Sequence, residues 1–417
     1  MTGAAGAHAV PHPVRWLILY LPFGAFTGFI QVALTYLATR RGISITEGAL
    51  LTGANLLTAW LKWLWAPLVD ITLTPKTWYW ISTAISALAV FLMAAIDLSP
   101  RTLPLLIGII LISGIVNNMV GMAVESIMGQ LTPPDQAGRT GAWFQAGNLG
   151  GAGLGGGLGL YLMQALPAPW MSGAILGALF ILCGLPLLSL PDLKPHASHL
   201  GVTASVKSVV QDISAMAKTS AGQLAAIALF LPMGTGAAQT VLTQASVAGL
   251  WGTSSNDVAL VQGLQSGLFT MLGCFAGGYV CQHLHPRMGY ALFGIVLATI
   301  AALMALSPAT VTMYVVWNMA YSFGTGLSYA GFTAVVLNAM GTGSAATKYN
   351  VFASISNFPI WWLGLLLGVA ADWRGPRFML LTEAVIGVLA VATLLVVSRG
   401  RQRSDASGPV AGNQRSG

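Results

Sequence analysis

The sequence predicts an all-α membrane protein in which twelve transmembrane helices form two pseudo-symmetric six-helix bundles. Hydrophobic residues make up 55% of the 417 residues and charged residues only 7%, whereas a soluble chain carries roughly a quarter charged residues. Apolar runs of spanning length, about 20–25 residues each, recur along the whole chain. The second half also restarts the first, because Leu-Pro-Phe-Gly at 21–24 returns as Leu-Pro-Met-Gly at 231–234.

This repeat extends beyond four residues. Three further pairs match at the same offset: Gly24 with Gly234, Glu47 with Asp257, and Gly53 with Gly263. In secondary transporters, repeated halves enclose a solute site near the middle of the bilayer, and rocking of one half against the other exposes that site to each side in turn. The duplication therefore bears on function as well as on fold.

The predicted spans follow the apolar runs. We place them at 14–38, 49–72, 78–97, 104–128, 140–165, 170–190, 223–249, 256–282, 288–306, 309–338, 347–371 and 377–397. The first run has no small-residue cleavage site, so we interpret it as a span rather than a removed signal peptide. The run at 309–338 is long, and we expect that it could tilt or break near Gly324 and Gly326.

These spans divide the chain into five parts. Residues 1–13 form a tail, 14–190 the first bundle, 191–222 a linker, 223–397 the second bundle, and 398–417 a disordered tail rich in Gly, Ser, Arg and Gln. Apolar residues recur at helical spacing within the linker, between 206 and 217. An amphipathic helix on the membrane surface that couples the halves fits this pattern, and so does a solvated connection.

The distribution of lysine and arginine predicts the orientation. Twelve of these residues lie on the side of the N-terminus and five on the other: Arg40, Arg41, Arg101, Arg374 and Arg377. Cytoplasmic loops carry the excess of positive charge. We therefore expect a multi-pass protein of the bacterial inner membrane with both termini in the cytoplasm.

The second span of each half begins with the same capping pattern. Ser44 precedes Glu47 by three residues, and Ser254 precedes Asp257 by three. This spacing is that of a capping box, and the acid then lies where the helix dipole favours negative charge. We therefore interpret Glu47 and Asp257 as helix caps rather than proton sites.

Few charged residues lie within the predicted spans, where a charge is costly and usually faces a cavity or a partner. Lys62 could hold an anion or act as a proton-coupled switch in a central cavity, or extend its ammonium group to the headgroups. Glu125 could carry a proton, or form a fixed ion pair with Lys62 or Arg139. Glu383 lies in the final span, where we expect peripheral packing.

Uncharged polar residues are more numerous in the spans. They either line a cavity that hydrogen-bonds a polar solute or hold helices together. In the first half these are the amides Gln31, Asn55, Asn117, Asn118, Gln145 and Asn148. In the second half they are Gln239, Gln244, Gln262, Gln265, Asn318, Asn350 and Asn357. Aromatic residues that could stack on a ring-bearing solute are Tyr321, Tyr329, Trp143, Trp361 and Trp362.

The sequence gives no support to metal or cofactor chemistry. The cysteines Cys183, Cys274 and Cys281 have no metal-ligand spacing, and all six histidines lie in tails and loops. The glycine-rich fifth span, 147–159, favours close helix packing and has no phosphate-binding Gly-Lys-Ser/Thr ending. We expect neither an enzyme nor a cofactor. The expected partners of this monomer are a small solute, protons and lipid, without nucleic acid.

Two six-helix halves joined by a long loop resemble the major facilitator superfamily. After the second span, Asp70 and Lys76 keep the loop pattern of that family, with Ala66 in place of its glycine; in the second half Gly278 and Arg287 are kept. The resemblance implies a cytoplasmic gate, for which our candidates are Asp70, Lys76, Arg139, Arg287 and Lys348.

A narrower resemblance is to the AmpG-like permeases, the branch that includes acetyl-CoA transporters. It depends most on the run Lys62-Trp-Leu-Trp-Ala-Pro-Leu-Val-Asp70, with Ile71 where that branch usually has arginine. Glu125, Arg139 and the run 352–364 follow in a similar order. The resemblance implies proton-linked import of cargoes such as anhydro-muropeptides or siderophores. An exporter of drugs or metabolites, and a lipid scramblase, are the alternative functions.

Overall fold

The computed structural model describes residues 11–41, 43, 45–194, 202–243, 245–341 and 343–406. Within these residues the regular structure is helical and contains no strand. The first half contains α1 (Val14–Gly28), α2 (Thr35–Arg40), α3 (Ile45–Trp60), α4 (Ala66–Ile71), α5 (Pro75–Ala95), α6 (Leu103–Leu131), α7 (Ala137–Ala165) and α8 (Pro169–Leu182).

The second half begins with the linker helix and ends with the longest helix. It contains α9 (Val202–Lys218), α10 (Ser220–Phe230), α11 (Ala238–Leu242), α12 (Ala245–Ala248), α13 (Ser255–Leu260), α14 (Ser266–His283), α15 (Pro286–Leu306), α16 (Val311–Ala339) and α17 (Ala345–Ala406). π-helical turns join α1 to α2 and α13 to α14, and a 3-10 turn lies between α3 and α4.

These helices make the twelve crossings of the predicted fold, which confirms the fold class. In the described chain, seven helical segments are continuous, long and apolar enough to span a membrane. The remaining five crossings are α7, α16, the interrupted pairs α3–α4 and α10–α11, and a second crossing in α17. Glycines and polar residues lower the apolar character of α7 and α16. Gly375, in a left-handed conformation (φ 81°), separates the two crossings of α17.

Helix α7 lies at the centre of the molecule and packs against α1 in its own half and against α14 and α16 in the other. Its glycines permit these contacts. A Cβ atom on Gly155 would overlap the backbone of Ala25, and one on Gly153 would lie 2.8 Å from the Cα of Gly267 in the second half. Glycine therefore allows the backbones to approach closely, as expected from the sequence.

The two ends of the bundle differ. We call the end with the loops 72–74, 132–136, 284–285 and 340–341 the terminus face, because α1 begins there, and the other end the opposite face. At the terminus face the halves touch: a Cβ on Gly138 would lie 2.8 Å from the Cβ of Cys281, and one on Gly129 would lie 3.0 Å from the Cβ of Ala345. The two halves are therefore in contact at the terminus face.

Helical breaks do not lie where the sequence suggested. Helix α16 is continuous through Gly324 and Gly326. Glycine is used there for close packing, since a Cβ on Gly326 would overlap the carbonyl oxygen of Thr270. The break lies instead at 231–237, between α10 and α11, where Gly234 and Gly236 have positive φ angles of 63° and 68°. Only glycine adopts this conformation without strain.

The chain ends of the second bundle also differ from expectation. Helix α17 continues to Ala406, through the start of the tail for which we expected disorder. The linker contains helix α9, whose Val209 and Met216 are buried while Val206 and Val210 are exposed. A capping box joins Ser254 and Asp257 as expected. The matching pattern at Ser44 and Glu47, and the amide Gln244, lie outside the residues or side chains that the structure describes.

Candidate solute cavity

A cavity of about 280 Å³ lies between the halves. Ten of the candidate residues named from the sequence line it; seven of them are Gln31, Lys62, Asn117, Asn118, Glu125, Gln145 and Asn357. Asn55, Asn148 and Tyr329 line it as well, together with Tyr20, Tyr290 and Tyr349. Its wall therefore combines amide and hydroxyl groups and one basic and one acidic side chain with apolar side chains such as Phe23, Leu149 and Ile360, and it draws on both halves.

Glu125 occupies the wall of this cavity near the terminus face. Its side chain is buried, with 1% of its surface exposed. Oε1 accepts a hydrogen bond from the Tyr20 hydroxyl (3.0 Å), and Oε2 accepts one from Asn350 Nδ2 (2.6 Å). Because Tyr20 belongs to the first half and Asn350 to the second, the carboxyl group joins the two halves.

Lys62 lies on the 3-10 turn that interrupts the second crossing. Its neighbours Trp63 and Leu64 are exposed on the outer surface, whereas Lys62 lines the cavity. The charges of Lys62 and Glu125 interact, although the described residues include no carboxylate oxygen within 4 Å of the ammonium group. The break in the helix thus directs a cation inward, and the side chain does not extend to the headgroups.

Several amides of the cavity wall hydrogen-bond to neighbouring helices. Gln145 Nε2 donates to Thr333 Oγ1 (2.8 Å) and to the Tyr349 hydroxyl (3.3 Å) in the other half. Asn148 Nδ2 donates to Gln145 Oε1 (3.0 Å). Asn118 Nδ2 donates to the carbonyl oxygen of Thr58 (3.0 Å). These amides line the cavity and hold helices together at the same time.

Five of the amide and aromatic residues named from the sequence lie elsewhere, in the core of the second half. Gln239 Nε2 donates to Ser322 Oγ (3.1 Å) and to Gln262 Oε1 (3.3 Å), and Gln262 Nε2 donates to Asn318 Oδ1 (3.0 Å). Gln265 is near this cluster in sequence, and its Oε1 is buried without a partner among the described residues. The hydroxyl of Tyr321 donates to Glu383 Oε1. These groups are not brought to the cavity between the halves.

Asp70 connects the halves at the terminus face. Its carboxylate accepts hydrogen bonds from the backbone N–H groups of Ala346 (3.2 Å) and Thr347 (2.8 Å) and from Thr347 Oγ1 (2.6 Å). These N–H groups belong to the first turn of α17, which has no helical acceptors of its own. An acid of the first half therefore caps a helix of the second.

The other gate candidates have different positions. Arg139 is exposed, and the described residues include no ion pair between it and Glu125 or Asp70; the start of α17 satisfies Asp70 instead. Lys76 pairs with Asp192 (2.7 Å), at the start of the linker. Arg287 is half-buried at the start of α15. Lys348 is buried, and its charge interacts with Asp70 and with Asp212 of the linker helix.

Sequence reasoning missed the tyrosines of the cavity. Tyr20, Tyr290 and Tyr349 are buried in the crossings, and each hydroxyl has a partner: Glu125, the carbonyl oxygen of Met233, and Gln145. A signal was available, since a phenol hydroxyl in a membrane span needs a hydrogen-bond partner. Of the aromatic candidates, Trp361 is exposed on the outer surface.

Known proteins share this fold. The family profile described as Major Facilitator Superfamily matches residues 16–360. The human organic anion transporter MFSD10 (TETRAN) superposes with a TM-score of 0.66 at 17% identity, over 91% of this chain and 98% of that chain. The E. coli fucose:proton symporter FucP gives 0.69 at 15% identity, over 93% of this chain and 97% of that chain.

A structure of FucP in the outward conformation gives a TM-score of 0.70 at 15% identity, over 93% of this chain and 97% of that chain. At such identities the similarity shows the fold alone, whereas the family profile covers most of the chain. The protein therefore belongs to the major facilitator superfamily, whose members are secondary transporters.

Proposed function

We propose that this protein imports a polar organic solute by alternating access and that the transport is coupled to protons through Glu125. The observation that carries the proposal is the position of this carboxyl group. It lines the cavity, is shielded from bulk water, and accepts hydrogen bonds from both halves. The charge of a carboxyl group in this position affects the binding of the solute, the binding of the proton and the contact between the halves.

The coupling follows from hydrogen-bond chemistry. As a carboxylate, Glu125 accepts from Tyr20 and Asn350, and bonds to a charged acceptor are about twice as strong as neutral ones. Protonation removes the charge and uses one oxygen as a donor. The bond to Asn350 in the second half then weakens, so the terminus face separates more easily. Proton binding from one side and release to the other would therefore alternate with opening.

The composition of the cavity supports a solute that is polar and carries an anionic group. Lys62 supplies one cation, and the amides supply donors and acceptors in several directions. An anhydro-muropeptide or a siderophore, the cargoes implied by the resemblance to AmpG-like permeases, has both features. With the termini in the cytoplasm of a bacterium, the closed terminus face corresponds to the state that loads solute from outside.

The test uses purified full-length protein in proteoliposomes with an imposed pH gradient. The probes are a labelled anhydro-muropeptide, a ferric siderophore and L-fucose. We expect uptake of one probe to follow an acidic exterior in the wild type and to become independent of the gradient in Glu125→Gln. Asp135→Asn, at an exposed loop carboxyl, is the matched control and should behave as wild type. Gradient-driven uptake that persists in Glu125→Gln would contradict the proposal.

A further inference from the structure

The interrupted seventh crossing forms part of the cavity wall. Gly234 and Thr235, in the break between α10 and α11, line the cavity. The break is held on one side by the Tyr290 hydroxyl, which donates to the carbonyl oxygen of Met233 (3.3 Å). Two glycines with positive φ, Gly234 and Gly236, allow the chain to change direction here. A change in this segment would therefore change the shape of the cavity.

A buried carboxyl group holds the other side of the break. Glu383, on the second crossing of α17, has 5% of its surface exposed. Its Oε1 accepts hydrogen bonds from the Tyr321 hydroxyl (2.6 Å) and from the backbone N–H of Ala238 (3.2 Å), the first residue of α11. Its Oε2 is buried and has no partner among the described residues.

No described cation compensates this carboxyl group. The neighbouring helices α11 and α15 contribute buried apolar side chains to the core of the second half, including Ala238, Ala298 and Ala301, and α16 contributes the hydroxyl of Tyr321. On α17 itself, Arg377 donates to the carbonyl oxygen of Ser307, and Arg374 stacks on Trp373 and Phe378. A buried carboxylate without a counter-charge is costly, and such groups in membrane spans usually serve a function.

We infer that Glu383 is a second proton-binding site, separate from Glu125, and that its charge state controls the break at 231–237. In the charged state the carboxylate anchors the first turn of α11 through Ala238. When the break admits water from the cavity, which Gly234 and Thr235 line, hydronium transfers a proton to Oε2. One O–H bond of hydronium breaks, one O–H bond forms at Oε2, a water molecule leaves, and the negative charge of the carboxylate is lost. The neutral acid is a weaker acceptor, so the bond to Ala238 weakens and the break gains freedom.

This inference is independent of the solute and of Glu125, because every contact of Glu383 lies in the second half. It is tested on the purified full-length protein without solute, by hydrogen–deuterium exchange across a pH series, corrected for intrinsic exchange. In the wild type, we expect peptides covering 231–242 to exchange roughly three- to tenfold faster at acidic than at alkaline pH. In Glu383→Gln they should exchange rapidly at every pH.

Two further variants complete the test. Glu125→Gln should keep the pH dependence of peptides 231–242, which separates this inference from the proposed function. Tyr321→Phe removes one hydrogen-bond donor to the charged form of Glu383, so the pH transition of exchange in peptides 231–242 should move to higher pH. This variant also tests the inference if Glu383→Gln does not fold. An unmoved transition in Tyr321→Phe, or a wild-type pH response in Glu383→Gln, would overturn the inference. The inference would also be overturned if the protection of peptides 231–242 against hydrogen exchange changed with added Na⁺ or K⁺ at constant pH.

Discussion

The two copies of the repeated segment have the same sequence pattern and different structures. Leu-Pro-Phe-Gly at 21–24 lies inside the regular helix α1, where Gly24 packs against the backbone of Asn148. Leu-Pro-Met-Gly at 231–234 lies in the break after α10, and Gly234 is left-handed. The duplication thus preserves the fold, while one copy forms a close helix contact and the other a break, which we infer acts as a hinge.

The buried acids follow the same division. Glu125 lies between the halves and bonds to both, whereas Glu383 bonds only within the second half and holds the hinge. Equivalent glycines should therefore respond differently to substitution, and the two buried acids should affect different motions. Four predictions test this contrast.

The largest effect is expected for Gly24→Ala. A Cβ at this position would overlap the carbonyl oxygen of Asn148, so α1 and α7 must separate. We expect a loss of about 1–3 kcal/mol or more in stability, as for overpacked cores. Gly53→Ala is the control, because no atom lies within 4 Å of its Cβ, and alanine favours a helix by up to about 1 kcal/mol. Thermal unfolding in detergent measures both; equal effects would contradict the close helix contact.

Next in size is Asp70→Asn, at the place where the halves meet. The amide keeps the shape of the side chain but loses the charge that strengthens the bonds to Ala346 and Thr347. Bonds to charged groups contribute roughly 1.5–3 kcal/mol, so we expect the closed terminus face to lose about tenfold in population.

Maleimide labelling of Cys281, which packs against Gly138 across this interface, reports the opening. Cys183→Ser serves as the background and Asp135→Asn as the charge control. A labelling rate in Asp70→Asn that equals the control would show that Asp70 does not hold the gate.

A smaller effect is expected for Gly234→Ala, in the second copy of the repeat. The cost is that of the left-handed backbone, about 1–2 kcal/mol, together with the displacement of Ser328, whose Oγ and Cβ would lie 2.5 and 3.0 Å from the added Cβ. Gly252→Ala has the same backbone cost in open surroundings, so it is the matched control, and Gly234→Ala should lose at least as much stability in thermal unfolding. Exchange at 231–242 should change only in Gly234→Ala, and a change in neither would argue against the hinge.

The smallest effect is the pH dependence of the cap at Asp257. Hydrogen bonds from the backbone and side chain of Ser254 hold the pKa of this carboxyl below its usual value. The cap therefore stabilises α13 above the usual carboxyl pKa, and this contribution is lost as the pH falls through the lowered pKa. Hydrogen exchange of residues 254–260 should increase only at acidic pH, and Asp257→Asn should remove this response.

The fold could be predicted from the sequence because the bilayer imposes length and polarity on each crossing. The twelve spans lie where the apolar runs predicted them, within a few residues at their ends. The break at 231–237 could not be predicted, because Leu-Pro-Phe-Gly in the first half forms a continuous helix. The tertiary contacts of Glu383 and Tyr290 decide the difference.

The candidate site could be predicted in part. Lys62 and Glu125 stood out because charges in spans are rare, and both line the cavity. The amides in the sequence did not show which of them line the cavity. Gln145 lines it, while Gln239 holds helices together in the second half. The direction of a side chain depends on how its helix is rotated and broken. For this reason Arg139 is exposed and Glu383, expected at the periphery, is buried.

The central claim is that the charge of Glu125 controls the contact between the halves. Double electron–electron resonance tests this claim most directly, because it measures the distance between two spin labels. The labels are attached at Ser99→Cys and Ala309→Cys, one on each half at the opposite face. These labels are placed in a background without the native cysteines. The account predicts that the distance distribution of the wild type changes with pH and that Glu125→Gln gives one distribution at every pH. A pH-dependent distribution in Glu125→Gln identical to that of the wild type would contradict it.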